Sequence, residues 1–190
     1  MQIQTDTIYK ENLLKELLKI DPHWVDGDLD KKFANISSAD LVNNELKVRI
    51  ELKEWRTLCI STYKKDPIKK IDKKIGDSSR KAMRKFNSYK DSKTILLIHG
   101  IKNPLPPEII KYALDGIIHI LPDGTPFGKH SNYSDYVFRN IGCIVIDIEN
   151  NFFSGQYYLE NKFAKVNVKI DKNDLEKILG WNLNIIQNIF

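Results

Sequence analysis

A chain of 190 residues, 42% hydrophobic and 29% charged, has the length of one domain and the balance of a water-soluble globular protein. It is long enough to bury a core without disulfides or a structural metal, and no apolar run approaches the ~20 residues that span a bilayer. Asp6 and Glu11 interrupt any basic-then-apolar leader, so a cytoplasmic protein without membrane partners is expected. The net charge of +5 is concentrated: Lys64 to Lys93 hold twelve basic and four acidic side chains, leaving the remainder slightly acidic, as a localised phosphate-binding face requires.

In chain order, Ile8, Leu13, Leu14, Leu17 and Leu18 recur at helical spacing, and Asp21-Pro22 ends that helix. The stretch 21–32 reads as irregular apart from Trp24 and Val25. Ile36 to Val42 reads as a strand, Asn43-Asn44 as a turn, and the next strand alternates Leu46, Val48, Ile50 and Leu52 against Lys47, Arg49, Glu51 and Lys53. Trp55 to Tyr63 is a third strand by the same pattern. A basic helix follows, capped at Asp77 or Ser78 and running to Lys90, with Ala82, Met83, Phe86 and Tyr89 inward and Arg80, Lys81, Arg84 and Lys85 on the flank and far side. Thr94 to His99 reads as a strand buried on both faces. Beyond Gly100 the pattern predicts a helix at 108–114, a strand at 117–121, a long loop at 122–135, and strands at 143–148, 152–158 and 163–170. A helix from Asp171 to Gly180 and an apolar tail that needs cover close the chain.

Glu51 and Lys53, two apart on a strand, project from one face, and antiparallel pairing through Asn43-Asn44 brings Asp40 alongside them. Two carboxylates and a backbone carbonyl are the hard oxygen donors that Mg²⁺ (or Mn²⁺) prefers. A neighbouring lysine can orient or deprotonate a water and offset charge on a phosphate. Other groupings carry less. Asp26, Asp28 and Asp30 alternate as in a calcium loop, but Lys31 and Ser37 stand where glycine and glutamate are needed. Cys59 and Cys143 lack metal-binding spacing and read as reduced core thiols. The histidines form no pair.

The order helix, three strands, basic helix, buried strand, with Asp40 followed by Glu51-Leu52-Lys53, resembles the PD-(D/E)xK nuclease superfamily of restriction endonucleases and archaeal Holliday-junction resolvases. The resemblance covers about residues 8–100, with Ala39 in place of the motif's proline. It implies an α/β (α+β) restriction-endonuclease-like domain over 1–190, with a mixed sheet flanked by helices and additional C-terminal strands in 101–190. It further implies Asp40 and Glu51 as metal ligands and Lys53 as the catalytic lysine. Glu11, before Leu14 and Leu17, matches the early acid that reaches the metal in the resolvase branch. The expected activity is Mg²⁺-dependent hydrolysis of DNA phosphodiesters, with Arg80, Lys81, Arg84 and Lys85 gripping nucleic acid and a homodimer as corollary. The alternatives are a non-catalytic nucleic-acid-binding protein on the same fold and a protein–protein adaptor or inhibitor.

Overall fold

The computed structural model describes residues 5–29, 38–55, 67–87, 91–100, 111, 119–120, 126–127, 138–149 and 154–186. It is a mixed α/β fold built on a seven-stranded sheet. Helix α1 (Thr5–Ile20) packs on one face through a stripe narrower than the hydrophobic spacing predicts: Leu13 and Leu17 are buried, Tyr9 and Leu14 partly so, and Ile8 and Leu18 are exposed. Tyr9, Leu13 and Leu17 follow one another at four-residue steps along one face, and Ile8 and Leu18 fall to either side of it.

Strands β1 (Trp24–Asp26), β2 (Leu41–Asn43) and β3 (Val48–Trp55) form an antiparallel meander. The first lies in the stretch read as irregular. Its signal is two residues long, with Trp24 buried in the core beneath α1 and Val25 turned outward. The second starts later than expected, so Asp40 precedes the strand instead of ending it. Residues 44–47 form the turn, in which Asn43 Oδ1 accepts the Leu46 N–H at 2.9 Å and Lys47 takes a positive φ of 53°. Leu46 and Lys47 therefore belong to the turn, and Leu46 is exposed. The third strand read at Trp55–Tyr63 falls, beyond Trp55, outside the described residues.

Helix α2 (Pro67–Phe86) begins well before Asp77, so Asp77 is an interior residue paired with Arg80 and not a cap. It crosses over to β4 (Lys93–Gly100), which lies parallel to β3 and is buried along nearly its whole length. Strands β5 (His119–Ile120) and β6 (Pro126–Phe127) pair as a separate ribbon, the latter within the expected loop. Strand β7 (Cys143–Ile148) is parallel to β4, β8 (Gly155–Glu160) antiparallel to β7, and β9 (Asn184–Ile185) parallel to β8. The sheet order is β1-β2-β3-β4-β7-β8-β9. Helix α3 (Lys172–Leu179) is capped by Asp171, whose carboxylate accepts the Asp174 N–H at 2.8 Å, and ends at Gly180 with φ 67°. The strand expected at 163–170 is a 3-10 turn, Val166–Val168, held where the Lys165 N–H meets Arg139 O at 2.9 Å.

Each face of the sheet carries its own core. Leu13, Leu17, Trp24, Ile50, Ile95, Val145 and Leu175 fill the α1–α3 side, and Ala82, Phe86, Leu96, Ile98, Ile144 and Ile146 the α2 side. Of the tail that needed cover, Leu183 and Ile186 are buried and Ile185 is exposed, and residues 187–190 lie outside the described residues. Cys143 is a buried free thiol, and burial pushes its pKa up, against the thiolate form; Cys59 lies outside the described residues. Among the described residues no helix is long and apolar enough to cross a membrane.

Candidate active site

Residues opposite one another in paired strands share a face, so Glu51 and Lys53 lie on the side of their partners Leu96 and Ile98, beneath α2. Asp40 joins them because β2 begins only at Leu41. The next rung of the β3 edge is left to a side chain, and the Leu52 N–H donates to Asp40 Oδ2 at 2.7 Å. A second tie holds the backbone there, from the Gly27 N–H to Asp40 O at 3.0 Å.

The two carboxylates converge on one cation. Lys85, from the last turn of α2, places Nζ 3.0 Å from Asp40 Oδ1 and 2.8 Å from Glu51 Oε2. Lys53 Nζ donates to Glu51 Oε1 and, at 2.9 Å, to Leu52 O. Glu51 is fully buried, and its Oε2 has no hydrogen bond: the Lys85 contact is an ion pair outside hydrogen-bond angles. Lys85 is thus not part of an outward phosphate-binding face, as the sequence had it. Arg80, Lys81 and Arg84 are exposed on α2, and Arg80 is paired to Asp77.

Burial, and then the charge of Asp40, raise the Glu51 pKa above its ordinary value, with Lys53 and Lys85 opposing. Burial acts against the Lys85 charge, but Glu51 and Asp40 outweigh it and raise its pKa. The folded state therefore keeps the Glu51 proton to higher pH than the unfolded chain does. Glu51 favours folding less as pH rises from the ordinary glutamate value through the raised one, while its capacity to bind a cation grows over the same window. Mn²⁺ affinity measured by titration calorimetry is accordingly expected to tighten with pH along a limb above the ordinary glutamate range. A limb at that ordinary value would mean that a raised Glu51 pKa does not govern metal binding.

A cavity of about 390 Å³ opens beside the cluster, walled by Asp40, Leu52 and Lys53 and by Lys10, Glu11 and Asp26. Lys10 is held between Asp26 at 2.6 Å and Asp28 at 2.7 Å. Glu11 is exposed on this wall. Among the described residues no three His, Cys, Asp or Glu side chains come together as a metal-binding group, so Glu11 does not complete a set with Asp40 and Glu51. The donors that do meet are Asp40 Oδ1 and Glu51 Oε2, shared by one cation, and the neighbouring Leu52 carbonyl, with no nitrogen or sulfur ligand. That chemistry fits a hard ion such as Mg²⁺, which keeps several waters and takes few protein ligands.

His99 occupies the other face. It stands in one row with Glu54 and Asp147 on the flanking strands. Tyr9 stacks on it, ring centroids 3.8 Å apart, and donates to Asp147 Oδ2 at 2.6 Å. Burial lowers the His99 pKa against the pull of Asp147, Glu54 and Glu149. Sequence reading missed this row because its partners lie on four separate elements. No protein-family model, curated protein or solved structure matches the chain.

Proposed function

We propose that the chain is a cytoplasmic, divalent-metal-dependent endonuclease that hydrolyses DNA phosphodiesters, on an architecture related to the PD-(D/E)xK nucleases. The observation that carries this reading is the meeting of two carboxylates, one from the residue just before β2 and one on β3, on a single cation position, with Lys53 alongside. The order of a helix, three antiparallel strands, a basic helix and a parallel strand supports it. Asp40, Glu51 and the Leu52 carbonyl would hold Mg²⁺. When bound, that ion supplies Lewis-acid polarisation of a phosphate oxygen and a water acidic enough to attack near neutral pH. Lys53, at the cavity wall, orients that water or offsets charge growing on the phosphate.

Lys81 and Arg84 grip the DNA backbone, with Arg80 behind its pairing to Asp77. With Lys85 turned inward, three contacts give a log–log salt slope of roughly −2.7 for duplex DNA. Filter binding across a salt series measures it, and a slope near zero would return α2 to an ordinary solvated face. Cutting both strands of a duplex takes two sites, which makes a homodimer the working assembly.

The direct test is incubation of plasmid, branched DNA and RNA with the wild type, Glu51→Ala and Lys53→Ala, with Mg²⁺ or Mn²⁺. Cleavage by the wild type that both substitutions abolish is the expected result. One observation favours a second reading: two lysines already neutralise the two carboxylates. A non-catalytic nucleic-acid-binding protein on this fold would need no metal. Salt-dependent binding without cleavage of any substrate would establish it and sink the nuclease.

A further inference from the structure

The carboxylates that would hold a divalent ion share a cation that the chain itself supplies. The Lys85 ammonium touches one oxygen of each acid, and Lys53 takes the second Glu51 oxygen together with the Leu52 carbonyl. All three donors of the candidate ion are therefore engaged by lysine. Two acids and two ammonium groups make the cluster neutral around a carboxylate with no solvent exposure. A divalent ion added beside both ammonium groups would leave an excess of two positive charges in a poorly screened place, where repulsion is far stronger than in water. One ammonium has to leave. Lys53 sits on the strand that carries Glu51, two residues away; Lys85 comes from a separate element, 45 residues from Asp40, on a flexible four-carbon stem.

We propose that Lys85 is an internal counter-ion that fills the cation position in the metal-free protein and swings out when a divalent ion binds. This rests on the nuclease reading of the same site and adds a regulation to it. Loading the metal and releasing a phosphate-seeking ammonium on α2, beside exposed Lys81 and Arg84, become one event. Metal and DNA then each tighten the binding of the other, as linkage requires.

The experiment is Mn²⁺ titration of the wild type, Lys85→Met and Lys85→Gln by calorimetry at one fixed, mildly alkaline pH. Thermal unfolding with and without Mn²⁺ runs alongside. Both variants are expected to bind Mn²⁺ about tenfold more tightly than the wild type, and to gain more thermal stability from it, because the metal replaces a missing charge. Lys85→Gln can still donate to the carboxylates and carries the test if Lys85→Met does not fold. Equal or weaker affinity in the variants, with wild-type binding intact, overturns the counter-ion role and leaves the nuclease standing. A wild type and variants that all fail to take up Mn²⁺ overturn the nuclease, and this proposal with it.

Discussion

Glu51→Gln and Lys53→Ala are each expected to lower Mg²⁺-dependent DNA cleavage by on the order of 10²–10³-fold, the loss typical when a charge-stabilising group is removed from a preorganised site. The glutamine keeps the volume of Glu51 and removes the charge, so the loss would report chemistry and not a cavity. Neither side chain lies on the exposed face of α2, and DNA affinity without metal is expected to stay near the wild-type value. Single-turnover cleavage at saturating DNA separates the two effects. If either variant keeps more than about a tenth of the wild-type rate, the chemistry lies elsewhere.

Gly27→Ala should damage fold and site together. A Cβ at Gly27 would stand 1.8 Å from the Ala39 carbonyl oxygen, a backbone atom that cannot rotate away. The neighbouring residue is Asp40, whose carbonyl accepts the Gly27 N–H and whose carboxylate accepts the Leu52 N–H. Room for the methyl group comes only by pushing Ala39 and Asp40 outward, off both bonds. Overpacking of this kind costs about 1–3 kcal/mol, and a displacement near 1 Å of a catalytic group costs about 10²-fold in rate. Chemical denaturation and cleavage assays read the two losses. A Gly27→Ala protein as stable and active as the wild type would show that the 38–40 segment does not position Asp40. Gly180 provides a contrast, since its nearest neighbour would be the far end of the Ile20 side chain, though its left-handed φ of 67° adds strain there as well.

What could be read from sequence was what is periodic or capped. The alternation of Val48, Ile50 and Leu52 placed Glu51 and Lys53 on one face, the unbroken run from Thr94 to His99 announced a strand buried on both faces, and Asp171 and Gly180 marked both ends of α3. Strand β1 was illegible because three residues carry no period, and its evidence is the burial of Trp24 against α1. Helix α2 was started too late: the sequence offers an acid-then-proline start signal at Asp66-Pro67, and Asp77, followed by Ser78, was taken in its place. Lys85 shows the deeper limit. Four cations on a helix look alike in sequence, and which one turns inward depends on the carboxylates that strands β2 and β3 set beside it.

Those carboxylates also bear on how the chain assembles. Asp40 and Glu51 are eleven residues apart across one short antiparallel pair, and contacts this local close early at small entropic cost. Lys85 arrives only with α2, from far along the sequence. Without α2 the strand pair would set two acids against the single ammonium of Lys53, and the helix supplies the charge that balances them. The site that would bind a metal is thus also the charged socket in which the end of α2 sits.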